Sequence, residues 1–313
     1  MCFTGLHAQD KTFVLTEGDT GLGKQSWFYS GAGNELDQAS IKKHWDDDLY
    51  ITSAAYTKYG WFLCMSEDAD YTGQAYKYVK DFPYDWIKEK YSAGYVITEI
   101  SCSKAKWFIV MSKHKKMKDQ VYKWGTYNEL NEWFTSKRGD GYRITSVTYS
   151  NRRWFWVMTK GSNYSTQGYK FVNAGDLQTT VRSLWDEGKR IQLVEYGGGE
   201  YLIVYGKLYT GTVAQGYFTS DSGFSDWAKK QWADGKDICY IGGGNPESTT
   251  STTTTTSTSS STEPCPICHG VTWVQCNYCQ GTGRDPYLGT CITCGGKGTH
   301  ICWGCRGTGF ANK

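Results

Sequence analysis

The sequence predicts a mainly β protein with short helices. The expected architecture is a five-module closed propeller-like ring of helix-strand-strand-strand repeats, its N-terminal strands completing the last module, followed by a small cysteine-rich hairpin module. Three observations lead there. Aromatic and β-branched phrases recur at near-constant spacing, one repeat is split between the two ends of the repeating region, and eight of the 12 cysteines crowd between Cys265 and Cys305. The 14 Trp and 24 Tyr, set against only 5 Pro, favour half-buried pleated strands.

The repeat is read first. "WFLCMS" (61–66), "WFIVMS" (107–112), "WFWVMT" (154–159) and "YLIVYG" (201–206) start 46, 47 and 47 residues apart. A second series precedes them: "DLYIT" (48–52), "GYVIT" (94–98), "GYRIT" (141–145), "GKRIQ" (188–192) and "GKDIC" (235–239). A third follows: "GQAYKY" (73–78), "DQVYKW" (119–124), "TQGYKF" (166–171) and "AQGYFT" (214–219). Each reads as a strand. Between units, "ASIKKHW" (39–45), "YDWIKEKY" (84–91), "DLQTTVRSLW" (176–185) and "FSDWAKKQW" (224–232) space apolar residues by three and four, as amphipathic helices do. Gly94, Gly188 and Gly235 suit the left-handed position that ends a helix.

Four units are whole. The fifth, from Phe224, has only its helix and first strand, and stops at "YIGGG". "KTFVLTEG" (11–18) matches its missing second strand and "KQSWFY" (24–29) its third, with Gln25 in the place of Gln74, Gln120, Gln167 and Gln215. A split unit of this kind closes a ring and leaves no unpaired edge. Both a five-bladed β-propeller and the α/β propeller of the pentein type fit.

Residues 248–262 are all Ser or Thr, a tract that cannot bury apolar surface. The expected organisation is therefore residues 1–10 as a tail or the remnant of an export signal, 11–244 as the five-repeat domain, 245–264 as a Ser/Thr-rich disordered linker, and 265–310 as the cysteine-rich domain. "HAQ" at 7–9 resembles the end of a secretory signal, which points to a periplasmic or extracellular location, with the cytoplasm as the alternative. The formal charge is only +3 and the densest basic cluster is "KHKKMK" (113–118), too little for a nucleic-acid footprint. No apolar run is long enough for a membrane-spanning helix.

Inside the ring, the repeated Trp, Phe, Tyr, Met, Ile and Gly read as core, and the recurrent Gln as a hydrogen-bonding partner for backbone between modules. Cys239 is a candidate nucleophile, because pentein enzymes use a Cys with His and carboxylate help. It stands where other repeats have Thr52, Thr98, Thr145 and Gln192, and only His44 and His114 are available in the ring as a base. Cys64 and Cys102 read as small buried hydrophobes. Exposed aromatics leave glycan or peptide stacking open.

The last domain holds four CxxC pairs: Cys265/Cys268, Cys276/Cys279, Cys291/Cys294 and Cys302/Cys305, with first cysteines 11, 15 and 11 apart. Metal, disulfides and redox chemistry all use cysteine. CxxC knuckles present two thiolates each, two knuckles make a tetrahedral sulfur site, and two Zn²⁺ ions use all eight sulfurs. Four thiolates per ion leave no open position, which makes such sites structural.

"CNYCQGTG" (276–283), "CITCGGKG" (291–298) and "CWGCRGTG" (302–309) follow CxxCxGxG, a pattern that resembles the cysteine-rich zinc domain of DnaJ-type chaperones. The first copy, "CPICHGVT" (265–272), departs from it at Thr272. The resemblance implies nested pairing. Site one takes Cys265, Cys268, Cys302 and Cys305; site two takes Cys276, Cys279, Cys291 and Cys294. It also implies contact with unfolded or partner polypeptides, for which Trp273, Tyr278, Tyr287 and Trp303 are candidates. No His-Pro-Asp motif is present, so no Hsp70 engagement through a J-domain is expected. The "GYxIT…WFxVMS" phrase, over about residues 25–240, resembles a repeat domain that follows the kinase domain in plant casein-kinase-I-like kinases. That resemblance implies binding and supplies no reaction. The expectation is a non-enzymatic zinc-binding adaptor or chaperone-like protein. The alternatives are a pentein-like hydrolase using Cys239 and an exported glycan-binding protein.

Overall fold

A computed structural model describes residues 12–243, apart from 31–34, 58, 68, 104–105, 210–212 and 220–221, together with 273–275, 284–285, 289–290 and 299–301. The chain divides into two compact units at residue 250.

The first unit is mainly β. Its strands are β1 (Phe13–Gly18), β2 (Gln25–Tyr29), β3 (Tyr50–Thr57), β4 (Gly60–Ser66), β5 (Tyr71–Val79), β6 (Val96–Cys102), β7 (Trp107–His114) and β8 (Gln120–Gly125). They continue with β9 (Arg143–Ser150), β10 (Arg153–Thr159), β11 (Tyr164–Val172), β12 (Arg190–Gly197), β13 (Glu200–Leu208), β14 (Gln215–Phe218) and β15 (Lys236–Gly242). Five short helices intervene: α1 (Gln38–Asp46), α2 (Tyr84–Ser92), α3 (Tyr127–Gly139), α4 (Leu177–Asp186) and α5 (Phe224–Ala233).

Local signals start two of the helices and stop all five. Asp37 caps α1 by accepting from the Ser40 N–H at 3.0 Å, and Glu129 reaches back to the Thr126 N–H at 2.7 Å before α3. The residue two beyond the last helical one is left-handed in every case: Gly94, Gly141, Gly188 and Gly235, and, after α1, Asp48 at φ 60°. An Asp carries a steric cost there that Gly does not. Asp48→Gly is expected to stabilise the unit by about 0.5–1 kcal/mol; a lowered melting temperature would show that the Asp48 side chain holds something the backbone does not need.

The strands form five separate three-stranded antiparallel sheets, ordered β2-β4-β3, β5-β7-β6, β8-β10-β9, β11-β13-β12 and β14-β1-β15. The middle strands β4, β7, β10 and β13 are nearly all buried, because both of their faces meet a neighbour. Trp61, Leu63 and Met65 of β4 pack with Phe108 and Val110 of the second sheet, while Phe62 and Cys64 of the same strand pack with Val14, Ile238 and Ile241 of the fifth. The third sheet's Phe155 and Val157 join the core of the second, and its Trp156 and Met158 join the core that runs on into the fourth and fifth. Along the inside, β3 neighbours β6, β6 neighbours β9, β9 neighbours β12, β12 neighbours β15, and β15 neighbours β3.

The sheets correct one expectation. β1 does complete the last sheet, between β14 and β15, but β2 does not follow it there: Gln25–Tyr29 pairs with Ser66–Phe62 of β4. The same offset recurs. β5 pairs with β7, β8 with β10 and β11 with β13, so the third strand of every repeat belongs to the sheet of the next one.

In the second unit, β16 (Trp273–Gln275) pairs antiparallel with β19 (Thr299–Ile301), and β17 (Arg284–Asp285) with β18 (Gly289–Thr290).

Candidate functional site

The recurrent glutamines lie at the sheet boundaries. Gln74 on β5 accepts from the Ile51 N–H at 2.8 Å and donates to the Ile51 carbonyl at 2.9 Å. Gln120 does this to Ile97 (2.7 and 2.8 Å), Gln167 to Ile144 (2.6 and 2.8 Å), and Gln215 to Ile191 (3.0 and 2.7 Å). Gln25 on β2 clasps Ile238 of the fifth sheet (2.7 and 2.9 Å). Each amide acts as one extra rung of backbone pairing between consecutive sheets, and the last joins the first to the fifth.

An indole or phenol second donor fixes most of these amides. Trp45, Tyr91, Trp185 and Trp232 donate to Gln74, Gln120, Gln215 and Gln25 at 3.1, 2.7, 2.9 and 2.9 Å. Gln25→Ala strips partners from the Ile238 N–H and C=O and from the Trp232 indole. The expected loss is about 2 kcal/mol, visible as a lower denaturant midpoint; an unchanged midpoint would mean that this seam is held by packing alone.

One residue past each clasp, the inner strand bulges. The register slips between Ile51 and Ser53, Ile97 and Glu99, Ile191 and Leu193, and opposite Ile238 and Tyr240. Cys239 is the bulged residue of the fifth sheet. Its Sγ donates to the Leu15 carbonyl at 3.4 Å, as the Thr52 and Thr98 hydroxyls do to Cys64 and Val110 at 3.3 and 3.5 Å. Burial and the nearby charge of Glu17 push its thiol well above the usual range. His44 is engaged by the Ser26 hydroxyl and the Ser40 carbonyl, and His114 accepts from the Lys116 and Met117 N–H groups. Neither of these two imidazoles hydrogen-bonds Cys239 among the described residues.

Two carboxylates lie on the inner strands. Glu99 accepts from the Ser53 hydroxyl (3.2 Å) and Ala54 N–H (3.3 Å) of β3, the Ser146 hydroxyl (3.2 Å) of β9 and its own neighbour Ile100 N–H (2.8 Å). Burial pushes it up to about 7 against the pull of those donors. Glu195 accepts from the Tyr240 hydroxyl and the Gly243 N–H, and burial and the charge of Glu99 raise it well above the carboxylate range. With so many donors committed to it, Glu99 ties three inner strands together.

The aromatic enrichment comes to the surface in a cleft of about 530 Å³ between the third and fourth sheets. Tyr149 and Trp154 of the third sheet and Phe171 of β11 form its walls, with Tyr127 at the start of α3 and Arg152, Lys170 and Glu200 among the charged residues lining it. The rings meet edge to face: Tyr149–Trp154 at 5.0 Å, Trp154–Phe171 at 5.4 Å and Tyr127–Phe171 at 5.3 Å. Tyr149 lies flat against backbone, since a Cβ on Gly197 would come within 2.2 Å of its Cγ. Sequence inspection missed this cleft. Its visible trace was the pair Asn151-Arg152 in a hairpin turn, both left-handed at φ 49° and 60°, where the next hairpin uses Gly198-Gly199.

Of the sequence-predicted residues in the second unit, Trp273 opens β16. The eight zinc-ligand candidates Cys265, Cys268, Cys276, Cys279, Cys291, Cys294, Cys302 and Cys305, and Tyr278, Tyr287 and Trp303, lie outside the described residues.

Residues 6–146 are similar to a family described as a domain of unknown function (DUF7477). The matched stretch runs from before β1 into β9 and so takes in three of the five clasping glutamines. No curated protein matches the chain.

Proposed function

We propose that the protein is a non-enzymatic, two-part binding protein. Its first unit is a closed propeller-like ring that serves as a binding platform, and its second is a two-zinc module that engages unfolded or partner polypeptides. The glutamine clasps carry the first half. Five amides hand each sheet to the next and return from Gln25 to Ile238, which is the connectivity of a ring whose seam is sealed by β1 and β2 together.

The strand register supports the second half. Trp273 faces Ile301 and Gln275 faces Thr299. The chain arrives at Trp273 from Cys265 and Cys268 and leaves Ile301 into Cys302 and Cys305; it leaves Gln275 into Cys276 and Cys279 and arrives at Thr299 from Cys291 and Cys294. The β17–β18 pairing folds back the span between the second and third pairs. In chain order, pairs one and four flank one end of the β16–β19 ladder and pairs two and three the other, which supports the nested pairing that the DnaJ-type resemblance implies. Eight thiolates fit two Zn²⁺ ions, which would cross-link the module and supply no open coordination position for chemistry. Trp273, Tyr278, Tyr287 and Trp303 are the residues proposed to meet a polypeptide.

Native mass spectrometry of the purified full chain tests the metal: two zinc ions and no disulfides are expected, and a metal-free chain with paired thiols would remove the zinc reading. Aggregation of an unfolded client, with the full chain against a chain ending at residue 262, tests the partner; equal aggregation would remove the chaperone-like role.

A further inference from the structure

The cleft between the third and fourth sheets exists because one connection is short. In the first two modules the segment from the outer strand to the helix fills the gap towards the next sheet, whereas the corresponding position is Asp176 in the fourth and Gly223 in the fifth. After β2 this segment carries Leu36, 4% exposed, which packs with Trp61 and Phe108, and Glu35, whose carboxylate meets Lys106 Nζ at 2.6 Å as that ammonium caps the Tyr78 ring. After β5 it carries Phe82, whose ring lies 5.1 Å from Trp107 and from Phe155, closing the gap between the second and third sheets. After β8 the whole connection is Thr126. The position of Leu36 and Phe82, five residues before the buried helix residue (Ile41, Ile87, Leu130), is Gly125 there. The third gap has no apolar side chain at that position; Tyr127 and Phe171 reach its surface, with Trp154 buried behind them.

Two further features mark the opening as a site. Arg152 holds a left-handed backbone that costs any residue with a Cβ, on a turn where the neighbouring hairpin uses two glycines. And the side chains of Arg152, Lys170 and Glu200 make no ion pair with any described residue, although Lys106, which occupies the position of Glu200 two modules earlier, is paired.

We propose that this cleft binds an uncharged saccharide, with pyranose faces on Tyr127 and Phe171, Tyr149 beside them, and hydroxyls on Arg152, Lys170 and Glu200. The chemistry of the rim selects the class. A hydroxyl both donates and accepts, so a run of hydroxyls satisfies the cationic donors and the carboxylate acceptor without bringing charge. A phosphate or acidic polymer would face Glu200. An extended proline-rich strand also suits aromatic walls, but it has no N–H to offer that carboxylate. An apolar ligand would desolvate all three charges for nothing in return. This deepens the reading of the first unit as a binding platform and is independent of the zinc module: glycan binding by a metal-free chain would sink the zinc reading alone.

The test uses the full chain. An array of neutral, acidic and sulfated oligosaccharides is screened, a hit is titrated by calorimetry, and decaproline is titrated in parallel. A neutral oligosaccharide is expected to bind, and Tyr127→Ala and Arg152→Gly are each expected to weaken it about tenfold. Arg152→Gly should also raise the thermal midpoint by about 2 °C, because it removes a left-handed arginine; that opposite movement separates a lost ligand contact from lost folding. No binding of any neutral glycan, a requirement for acidic sugars, binding indifferent to both substitutions, or decaproline occupying the cleft instead would each overturn the proposal.

Discussion

Removing metal from the full chain is expected to unfold residues 265–310 while residues 12–243 stay folded. Among its described residues the second unit has strands of two or three residues each, and a segment of about 46 residues is too short to build an adequate core of its own. Structural zinc contributes on the order of 10–16 kcal/mol per ion, so two ions would supply nearly all of its stability. The first unit has its own apolar cores, and among its described residues no group of three or more His, Cys, Asp or Glu is placed to hold a metal. Hydrogen exchange with and without a chelator reads both at once. Amides of Trp273–Gln275 and Thr299–Ile301 should lose protection and those of β4, β7, β10 and β13 should keep it. Retained protection in β16 and β19 after complete chelation would mean that something other than metal holds the module.

The first unit is expected to be more stable at pH 5 than at pH 8, with the buried carboxyls of Glu99 and Glu195 as the cause. Burial lifts its carboxyl from 4.5 to about 7. The folded state therefore holds a proton that the unfolded chain releases more readily. The stability tied to that proton is fully present below pH 4.5 and is lost as the pH rises through about 7, a swing of roughly 3 kcal/mol. Glu195 is shifted in the same direction. Glu99→Gln should make the dependence of the melting temperature on pH between 5 and 8 shallower, because an amide does not titrate there, and Glu99→Gln combined with Glu195→Gln should flatten it. A parent protein whose melting temperature is level across that range would show that Glu99 is already ionised at pH 5, with its four donors outweighing burial.

The sequence shows which segments are strands more plainly than it shows whom they pair with. "WFLCMS" and its kin recur because both faces of a middle strand are buried, a demand that every module repeats. The third strands recur just as clearly, yet nothing in "KQSWFY" says whether it lies against β1 or β4. Repeat phase and sheet phase differ by one strand, and only the pairing reveals it. The glutamines announced a backbone role by recurring, while the residues they clasp, Ile51 through Ile238, look like ordinary core. Cys239 invited a catalytic reading because cysteine is reactive; in place it does what Thr52 and Thr98 do at their bulges. The aromatic cleft lay in a spacing. From clasping Gln to buried helix residue the distance is 10 residues for Gln120–Leu130, against 16 for Gln25–Ile41 and 13 for Gln74–Ile87. A deletion of that kind is quieter than any motif.

The seam between β15 and β1 has a consequence for how such a domain travels. Phe13 lies opposite Gly242 in the register, just as Gly197 lies opposite Glu200 across its two-residue turn. The polypeptide thus enters and leaves the first unit side by side, in the place where other modules have a hairpin bend. Bridging residues 12 and 243 and opening any other bend would give a circular permutant with every strand pair and every clasp retained. By the same geometry the unit can be spliced as one insert into a surface loop of an unrelated host, whose own ends need not move apart to receive it.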